Sequence, residues 1–494
     1  MTTTSGPTAL LAHADGFFIG GEWVTPSSTD RIEVIDSTTE EVFLEVAEAK
    51  SDDMAKAVGA AREAFDHGPW PRMTHSERGA YLRALGEGLL ARSADIGQAF
   101  PRQTGALFSV ASAAGQDGFE IFSYYAGLGD EFPFVKAVKP TFGEAGLLIR
   151  EPVGVVGAII PWNSPTRLIG YKVAPALIAG CTVVLKASPE APAEAYILAE
   201  VAESVGLPPG VLNVVTADRD VSELLVRDPR VDKITFTGST AAGRRIGGIC
   251  GERIARCTLE LGGKSPAVIL DDIDIGKTAR HLMKQEMLLT GQGCSSLTRI
   301  IVSAHRHDDM LDALAEEFRN VRVGDPFDPE SQVGPLASAR QRERVEYYIG
   351  KGRESGATLA AGGGRPDHLP CGYYVEPTVF GNVDNSSVIA QEEIFGPVLT
   401  VIPAADEAHA IELANDTKFG LNASVFTDDL ERALDVACQL RSGTVGHNAF
   451  RTDFGIAFGG FKQSGIGREG GTEGLLAFLE TKTVILKGRA TKLP

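Results

Sequence analysis

The sequence predicts an α/β protein that contains two successive domains, each with a mostly parallel sheet. Three observations support this prediction. Short apolar segments alternate with longer amphipathic segments from residue 153 onward, the same alternation starts again after Leu259, and 56 glycines in 494 residues separate these segments. Strands that alternate with helices of this length are typical of βαβ units, whose strands run parallel.

The N-terminal part of the chain differs because apolar and polar residues alternate there. Between residues 17 and 46 this alternation predicts short antiparallel strands. Ser51 is a candidate N-cap for a helix that reaches residue 66, and a second helix is predicted over 76–92. Apolar residues recur every three or four positions in both segments, as they do on one face of a helix.

The segment from 153 onward predicts two βαβ series. In the first series, strands are predicted at 153–160, 182–185, 211–216 and 233–236, and helices at 173–179, at 193–205 and from 238–243 onward. In the second series, strands are predicted at 267–270 and 299–302, and helices at 275–289, 308–318 and 341–354. A β-rich stretch at 481–486 is too short to fold alone, so we expect it to pair with a strand elsewhere.

Charge and hydropathy exclude several classes of protein. Lys and Arg number 47 and Asp and Glu number 65, which gives a net charge of −18. This acidic balance argues against nucleic acid or an anionic membrane as a partner, because both require a basic surface. The N-terminal segment has no basic region and no sustained apolar core, so no signal peptide is expected. The apolar run 153–185 is interrupted by prolines and charges, so no membrane span is predicted.

The six cysteines, at positions 181, 250, 257, 294, 371 and 438, are scattered and contain no C-x-x-C pair. This spacing argues against a zinc ribbon and against a disulfide framework, and it favours a reducing compartment such as the cytoplasm. His305 and His307 precede Asp308 and Asp309, but the charges favour a solvated turn rather than a metal site. We therefore expect no metal.

Two side chains are candidates for covalent and acid–base chemistry. Cys294 lies among small residues in the sequence GQGCSS and could be a nucleophile, although most isolated cysteines are inert buried groups. Glu260 ends an apolar run beside Gly262 and Gly263. It could be a general base whose pKa is raised by burial, or it could equally serve a cap or a salt bridge.

Two further segments could bind ligands at strand ends. Asn163 follows a buried strand and could donate to an oxyanion, or it could form an Asx turn before Pro165. The segment 238–243 lies between a strand and a helix and could hold a phosphate, although a plain glycine turn has the same pattern. A phosphate loop at Gly263-Lys264-Ser265 is rejected, because its first glycine position holds Thr258.

Seven motifs in this order resemble those of the NAD(P)-dependent aldehyde dehydrogenase superfamily. They are PWN at 161–163, FTGS at 236–239, ELGGK at 260–264, GQGC at 291–294, EEIFGP at 392–397, FGGFK at 458–462 and SGIGRE at 464–469. Cys294 follows Glu260 by 34 residues, as in that family. The resemblance covers nearly the whole chain, from about Phe17 to the end.

The resemblance implies an oxidation of an aldehyde to a carboxylic acid with NAD(P). Cys294 would form a thiohemiacetal and then a thioester, and Asn163 with the Cys294 amide would form the oxyanion hole. Glu260 would activate the hydrolytic water, and Lys172 and Glu469 would tune or relay protons. Two alternatives stay open at this point: a relative that transfers the acyl group to coenzyme A, which Glu260 disfavours, and a structural protein without activity, which the intact Cys294, Glu260 and Asn163 disfavour.

The resemblance also implies a cofactor site. Lys186 would contact the adenine ribose, Ser239 the pyrophosphate, Glu393 the nicotinamide ribose, and Phe395 the cofactor surface. The full implied set is Ile159, Ile160, Pro161, Trp162, Lys186, Ser188, Gly238, Ser239, Leu261, Gly262, Glu393 and Phe395. Where many family members have a ribose-binding glutamate, this chain has Pro189, and Glu190 follows one residue later. We favour NAD and keep NADP as the alternative.

A substrate tunnel follows from the same register. Its implied residues are Ser164, Arg167, Leu168, Tyr171, Leu288, Phe450, Thr452 and Phe458. Ser164 replaces a frequent bulky aromatic residue, which would widen the entrance. Arg167 could meet an acidic or polar aldehyde, but its long stem favours reaching solvent. The aromatic side chains suit a medium-sized apolar or aromatic aldehyde.

The implied architecture has three parts. A Rossmann-like cofactor domain would comprise residues 1–130 and 151–261, and a second α/β catalytic domain residues 262–457. A β-rich oligomerisation arm would combine residues 131–150 with 475–494, so that a homodimer or a homotetramer is expected.

Overall fold

The computed structural model describes residues 10–488, and the strands and helices below lie within that range. The strands are β1 Phe17–Ile19, β2 Glu22–Val24, β3 Arg31–Ile35, β4 Val42–Ala47, β5 Val135–Val138, β6 Ala145–Pro152, β7 Val155–Ile159, β8 Thr182–Ala187, β9 Leu212–Thr216, β10 Lys233–Thr237, β11 Arg256–Glu260, β12 Ser265–Ile269, β13 Leu297–Ser303, β14 Thr358–Ala361, β15 Thr378–Gly381, β16 Val398–Ala404, β17 Asn422–Phe426, β18 Thr444–His447, β19 Gly465–Ile466 and β20 Leu479–Leu486. The helices are α1 Ser51–Asp66, α2 His75–Ala91, α3 Ser93–Thr104, α4 Phe108–Ala111, α5 Ala114–Glu131, α6 Pro165–Ala179, α7 Ala193–Ser204, α8 Arg219–Arg227, α9 Thr240–Glu252, α10 Ile275–Glu286, α11 His307–Arg319, α12 Ala339–Glu354, α13 Val388–Gln391, α14 Glu407–Asn415, α15 Leu430–Gln439 and α16 Gly471–Leu476.

The first sheet has eight strands in the order β19-β11-β10-β7-β8-β9-β1-β2. Its five central strands, β11 to β9, are parallel, whereas β1, β2 and β19 add antiparallel edges. Strands β7, β8, β9 and β10 are buried along their whole length, as expected for a parallel sheet covered on both faces. Their carboxyl ends therefore meet at one edge, where ligands of α/β proteins bind.

The second sheet has seven strands in the order β14-β15-β16-β13-β12-β17-β18. All neighbouring pairs are parallel except β14 with β15. Apolar side chains on the two faces of this sheet form separate buried clusters. The two sheets confirm the prediction of two βαβ series and a mixed α/β fold.

A third sheet of three antiparallel strands, β20-β6-β5, includes the C-terminal stretch. Strand β20 pairs with β6 from Leu479 opposite Pro152 to Leu486 opposite Ala145, as the sequence led us to expect. Residues 489–494 of the proposed arm and residues 1–9 of the proposed cofactor domain lie outside the described residues. The domain boundaries given above stay predictions. Within residues 10–488, none of the helices combines the length and apolar character needed to cross a membrane.

Several predicted element boundaries are wrong. Helix α6 begins at Pro165 rather than at 173, and α10 ends at Glu286 rather than at 289. Ser51 is the first helical residue rather than the N-cap, which is Lys50. His307 is buried and its ring accepts a hydrogen bond from the Asn382 amide at 2.9 Å, so it does not lie in a solvated turn.

Eight of the described helices are absent from the sequence prediction, namely α3, α4, α5, α8, α13, α14, α15 and α16. Helix α3 contains Pro101, and α5 contains Gly115 and Gly118, residues that disfavour helices when considered alone. At Gly118 an added Cβ would lie 3.0 Å from the Thr166 methyl group, so the glycine allows α5 to approach α6 closely. Packing between helices therefore overrides local propensity here.

Candidate active site

A cavity of about 540 Å³ lies where the ends of strands from both sheets meet. Cys294, Glu260, Asn163 and Glu469 all line this cavity, and Lys172 is buried beside it. The structure thus brings together residues from four separate segments of the chain. A cavity of this size accommodates a small organic ligand.

The loop that carries Cys294 is held in place by its own backbone and by Gln292. The Gln292 side-chain amide donates to the Thr104 carbonyl at 3.0 Å, and its oxygen accepts from the Ala337 amide at 2.9 Å. Gly291 has φ of +68°, and an added Cβ would lie 2.3 Å from the Gly396 oxygen. A glycine is therefore required there, and the position of the thiol is fixed by packing.

Asn163 lies against the same loop. Its Nδ2 donates to the carbonyl of Gln292 at 2.9 Å. Because Gln292 is two residues before Cys294, this bond holds the Asn163 side chain against the loop that carries the thiol. Asn163 follows β7 and precedes α6, and it is buried. A buried side-chain amide beside a nucleophile is suited to donate to an oxyanion.

The environment of Cys294 disfavours the thiolate. Burial raises the pKa of Cys294 to about 12, and the carboxyl groups of Glu393 and Glu260 act in the same direction. All six cysteines are free thiols, and Cys294 itself is partly exposed to the cavity. These surroundings therefore favour the protonated thiol over the thiolate.

Glu260 ends β11 and lines the cavity from a buried position. The residue is 2% exposed, and neither carboxyl oxygen has a hydrogen-bond partner within the described part of the chain. Burial raises the pKa of Glu260 well above its usual range, and the nearby Glu469 charge raises it further. At Gly459, where φ is +148°, an added Cβ would lie 2.6 Å from Glu260 Oε1. The glycine therefore leaves room for this carboxyl group.

Lys172 and Glu469 form a buried ion pair behind Glu260. Lys172 Nζ contacts the Glu469 carboxylate and donates to Thr237 Oγ1 at 2.7 Å. Thr235 Oγ1 donates to the same carboxylate at 3.3 Å. The two charged side chains are 0% and 3% exposed, so each charge depends on the other for compensation.

One end of the cavity is built from two aromatic rings and a buried carboxyl group. The rings of Trp162 and Phe395 meet edge to face with centroids 5.4 Å apart. Glu393 Oε1 accepts from the Gly263 amide at 3.2 Å, and burial raises the pKa of Glu393 to about 7. An added Cβ at Gly262 would lie 2.3 Å from Glu393 Oε2, so this approach requires glycine.

The N-terminus of α9 opens onto the same end. Ser239 is the N-cap of this 13-residue helix, and its Oγ accepts from the Ala242 amide at 3.3 Å. Gly238 and Ser239 both line the cavity. Unpaired amides at a helix N-terminus attract an anion such as a pyrophosphate, so this end of the cavity fits a dinucleotide.

Not all of the expected cofactor residues line this cavity. Five of them lie outside its lining, namely Ile159, Ile160, Lys186, Ser188 and Gly262. Burial lowers the pKa of Lys186 to about 8, although Glu190 and Asp218 oppose this effect. Ser188 Oγ donates to Glu190 at 2.6 Å, and Glu190 also pairs with Arg340 at 2.8 Å. Glu190 therefore reaches the region of Lys186 despite its position one residue after Pro189.

All eight residues expected in the substrate tunnel line the cavity: Ser164, Arg167, Leu168, Tyr171, Leu288, Phe450, Thr452 and Phe458. Arg167 does not simply reach solvent, because its guanidinium pairs with Asp117 at 2.6 Å. Sequence reasoning missed further lining residues that include Phe100, Val110, Asp117 and Glu286. Only a correct prediction of α3, α4 and α5 could have indicated the first three.

Comparison with known proteins decides the family. A sequence profile described as the Aldehyde dehydrogenase family matches residues 23–484. The chain is 42% identical over 473 residues to geranial dehydrogenase of Castellaniella defragrans, with 95% of this chain and 98% of the relative covered. The chain belongs to the aldehyde dehydrogenase family. It is therefore an oxidoreductase, as the seven motifs implied.

Other relatives agree with this assignment. The chain is 41% identical to 3-succinoylsemialdehyde-pyridine dehydrogenase of a Pseudomonas species, over 95% of this chain and 98% of that protein. A crystal structure of Mycobacterium tuberculosis aldehyde dehydrogenase complexed with NAD+ superposes with a TM-score of 0.94 at 43% identity, covering 97% of this chain and 99% of that one. A mutant of aldehyde dehydrogenase C from Pseudomonas syringae, complexed with NAD+ and octanal, gives 0.93 at 37% identity, covering 97% and 98%.

Proposed function

We propose that this chain oxidises an uncharged apolar aldehyde to the carboxylic acid with NAD+ as the hydride acceptor. The observation that carries the proposal is the grouping of Cys294, Asn163 and Glu260 around one cavity whose far end fits a dinucleotide. Hydride does not leave an aldehyde carbon readily, so a covalent adduct must form first. NAD+, when bound, supplies the acceptor for that hydride.

Cys294 starts the reaction by attacking the aldehyde carbon as a thiolate. Its proton must first pass to solvent water, because burial holds the pKa of this thiol near 12. The new C–S bond turns the carbonyl oxygen into an alkoxide, and Asn163 Nδ2 with the Cys294 amide donates to it. When the C–O double bond forms again, hydride leaves the carbon and a thioester remains on Cys294.

Glu260 completes the reaction by accepting a proton from water. Its carboxyl group is buried and has no hydrogen-bond partner among residues 10–488, so it is available to bind a water molecule. The hydroxide attacks the thioester carbon, the C–S bond breaks, and the acid leaves with the thiolate restored. The Lys172–Glu469 pair sets the charge around Glu260 during this step.

Two of the relatives support the substrate class, and the two solved structures support the cofactor. Geranial and octanal are both uncharged apolar aldehydes, and the two solved structures described above contain NAD+. Leu168, Leu288, Phe450 and Phe458 give the substrate side of this cavity the same apolar character. Glu190 lies beside Ser188 and acts on Lys186, the residue expected at the adenine ribose, so its carboxylate, although paired with Arg340, would disfavour the extra phosphate of NADP+.

A panel of aldehydes assayed with NAD+ and NADP+ in parallel tests the proposal. We expect octanal to be oxidised faster with NAD+ than with NADP+, and acid to form at the same rate with or without coenzyme A. A requirement for coenzyme A would favour an acyl-transferring enzyme instead. Light scattering of the same preparation tests the expected homodimer or homotetramer, which a monomer at assay concentration would contradict.

A further inference from the structure

An ion pair lies on the largely apolar substrate side of the cavity. Arg167 on α6 and Asp117 on α5 meet with Nη2 and Oδ2 2.6 Å apart, and both residues line the cavity that contains Cys294. Their side chains are 43% and 34% exposed, so the pair is accessible to an entering ligand. Partly exposed pairs of this kind contribute little to folding. A role in stability therefore does not explain its presence.

The two helices hold this pair in place by close packing on either side of it. An added Cβ at Gly118, next to Asp117, would lie 3.0 Å from the Thr166 methyl group. An added Cβ at Gly170, one turn after Arg167, would lie 3.0 Å from the Ile121 side chain. The helix backbones approach closely because these positions are glycines. This packing fixes the backbone positions from which the Asp117 and Arg167 side chains extend.

The charges around Arg167 are mainly negative. Asp117 and Glu120 act on its guanidinium, and Asp453 acts on the neighbouring Tyr171. The other arginine in the described cavity wall, Arg344, donates to the backbone oxygens of Glu393 and Ile394 at the opposite end. A carboxylate that enters from the substrate side therefore meets a cation already paired with Asp117.

We propose that Asp117 is a specificity-determining residue that pairs with Arg167 and thereby excludes aldehydes that carry a carboxylate. Uncharged aldehydes pass the pair, whereas an anionic aldehyde must displace Asp117 or remain beside its negative charge. Discrimination then arises from repulsion of the wrong ligand as well as from apolar contact with the right one. This inference rests on the proposed oxidation of aldehydes at Cys294.

The test compares octanal with 8-oxooctanoate, which has the same chain length and a terminal carboxylate. The measured quantity is the ratio of kcat/KM for the anionic aldehyde to that for octanal. In Asp117→Asn, Arg167 is released and we expect the ratio to rise on the order of tenfold. In Arg167→Gln, only the negative charges remain and the ratio should fall below that of the natural protein. Both changes should shrink in high salt, because the pair is partly exposed.

Asp130→Asn is the matched control. Asp130 lies on the same helix and forms an ion pair with Arg83 at 3.1 Å, but neither residue lines the cavity. It should leave the ratio unchanged. An unchanged ratio in Asp117→Asn, an equal rise in Asp130→Asn, or a natural protein that prefers 8-oxooctanoate would each overturn the inference. Oxidation of neither aldehyde by the natural protein would instead refute the proposed function.

Discussion

The two sides of the cavity are built in opposite ways. The catalytic side, with Cys294, Asn163 and Glu260, is polar. Asn163 and Glu260 are buried there, and hydrogen bonds from Asn163 and Gln292 hold the loop that carries Cys294. The substrate side is a set of apolar side chains from α6 and nearby loops, with one ion pair. Directed chemistry requires fixed polar groups, whereas apolar binding depends on area removed from water and tolerates variation. Substitutions on the catalytic side should therefore reduce kcat/KM far more than substitutions on the substrate side.

The largest effect is expected for Cys294→Ala. Loss of the nucleophile removes the covalent route, so kcat/KM for octanal should fall by at least about 10⁴-fold. Steady-state NADH formation measures this loss. Cys371→Ala, which removes an exposed thiol, should retain full activity. Comparable losses of activity in both variants would contradict the assignment of Cys294 as the nucleophile of the catalytic side.

Asn163→Ala should follow, with a loss of roughly 10²–10³-fold in kcat, because one oxyanion donor is removed. KM for octanal should change much less, since the amide acts on the alkoxide rather than on the bound aldehyde. Initial-rate measurements over a range of octanal concentrations separate the two parameters. An increase in KM with unchanged kcat would show that Asn163 binds the aldehyde rather than stabilises the alkoxide.

Glu260→Gln should separate the two chemical stages. We expect a normal first burst of NADH, followed by turnover reduced by about 10²-fold or more, because general-base help in hydrolysis is lost. Stopped-flow absorbance resolves the burst from the steady state. Unchanged steady-state turnover would remove Glu260 from the mechanism.

Glu469→Gln should shift the pH dependence of turnover. The Glu469 charge raises the pKa of Glu260, so its removal lowers that pKa, and the unpaired Lys172 acts in the same direction. Glu260 must be ionised to accept a proton, so the acidic limb of the turnover–pH profile should move to lower pH. Glu473→Gln removes an exposed charge from the following helix and should not move the profile. A shift to higher pH would contradict this assignment.

The smallest effect is expected on the substrate side. Leu168→Ala removes part of the apolar wall and should raise KM for octanal by several-fold while kcat changes little, because about 20–30 cal/mol are lost per Å² of buried apolar area. Benzaldehyde, which presents less apolar surface, should be affected less. A loss in kcat comparable to that of Asn163→Ala would remove the distinction between the two sides.

The same contrast explains what the sequence could predict. Asn163 follows a predicted strand, and Cys294 lies between a predicted helix and a predicted strand. Both belong to short contiguous motifs, so local pattern and family resemblance indicated them together. Asp117 lies on α5, a helix that glycines concealed, and its role depends on packing against α6. The contact of Lys172 with Glu469 joins residues 297 positions apart, which no local periodicity can indicate. Resemblance named those two residues, and only the fold showed how they meet.

The central claim is that the acyl group is bonded to the sulfur of Cys294 during each turnover. Its most direct test is peptide mass spectrometry of Glu260→Gln, acid-quenched after mixing with NAD+ and octanal. We predict an octanoyl adduct on the peptide that contains Cys294, formed only when both NAD+ and octanal are present. An adduct on another cysteine, or NADH formation without any adduct in this variant, would contradict the account.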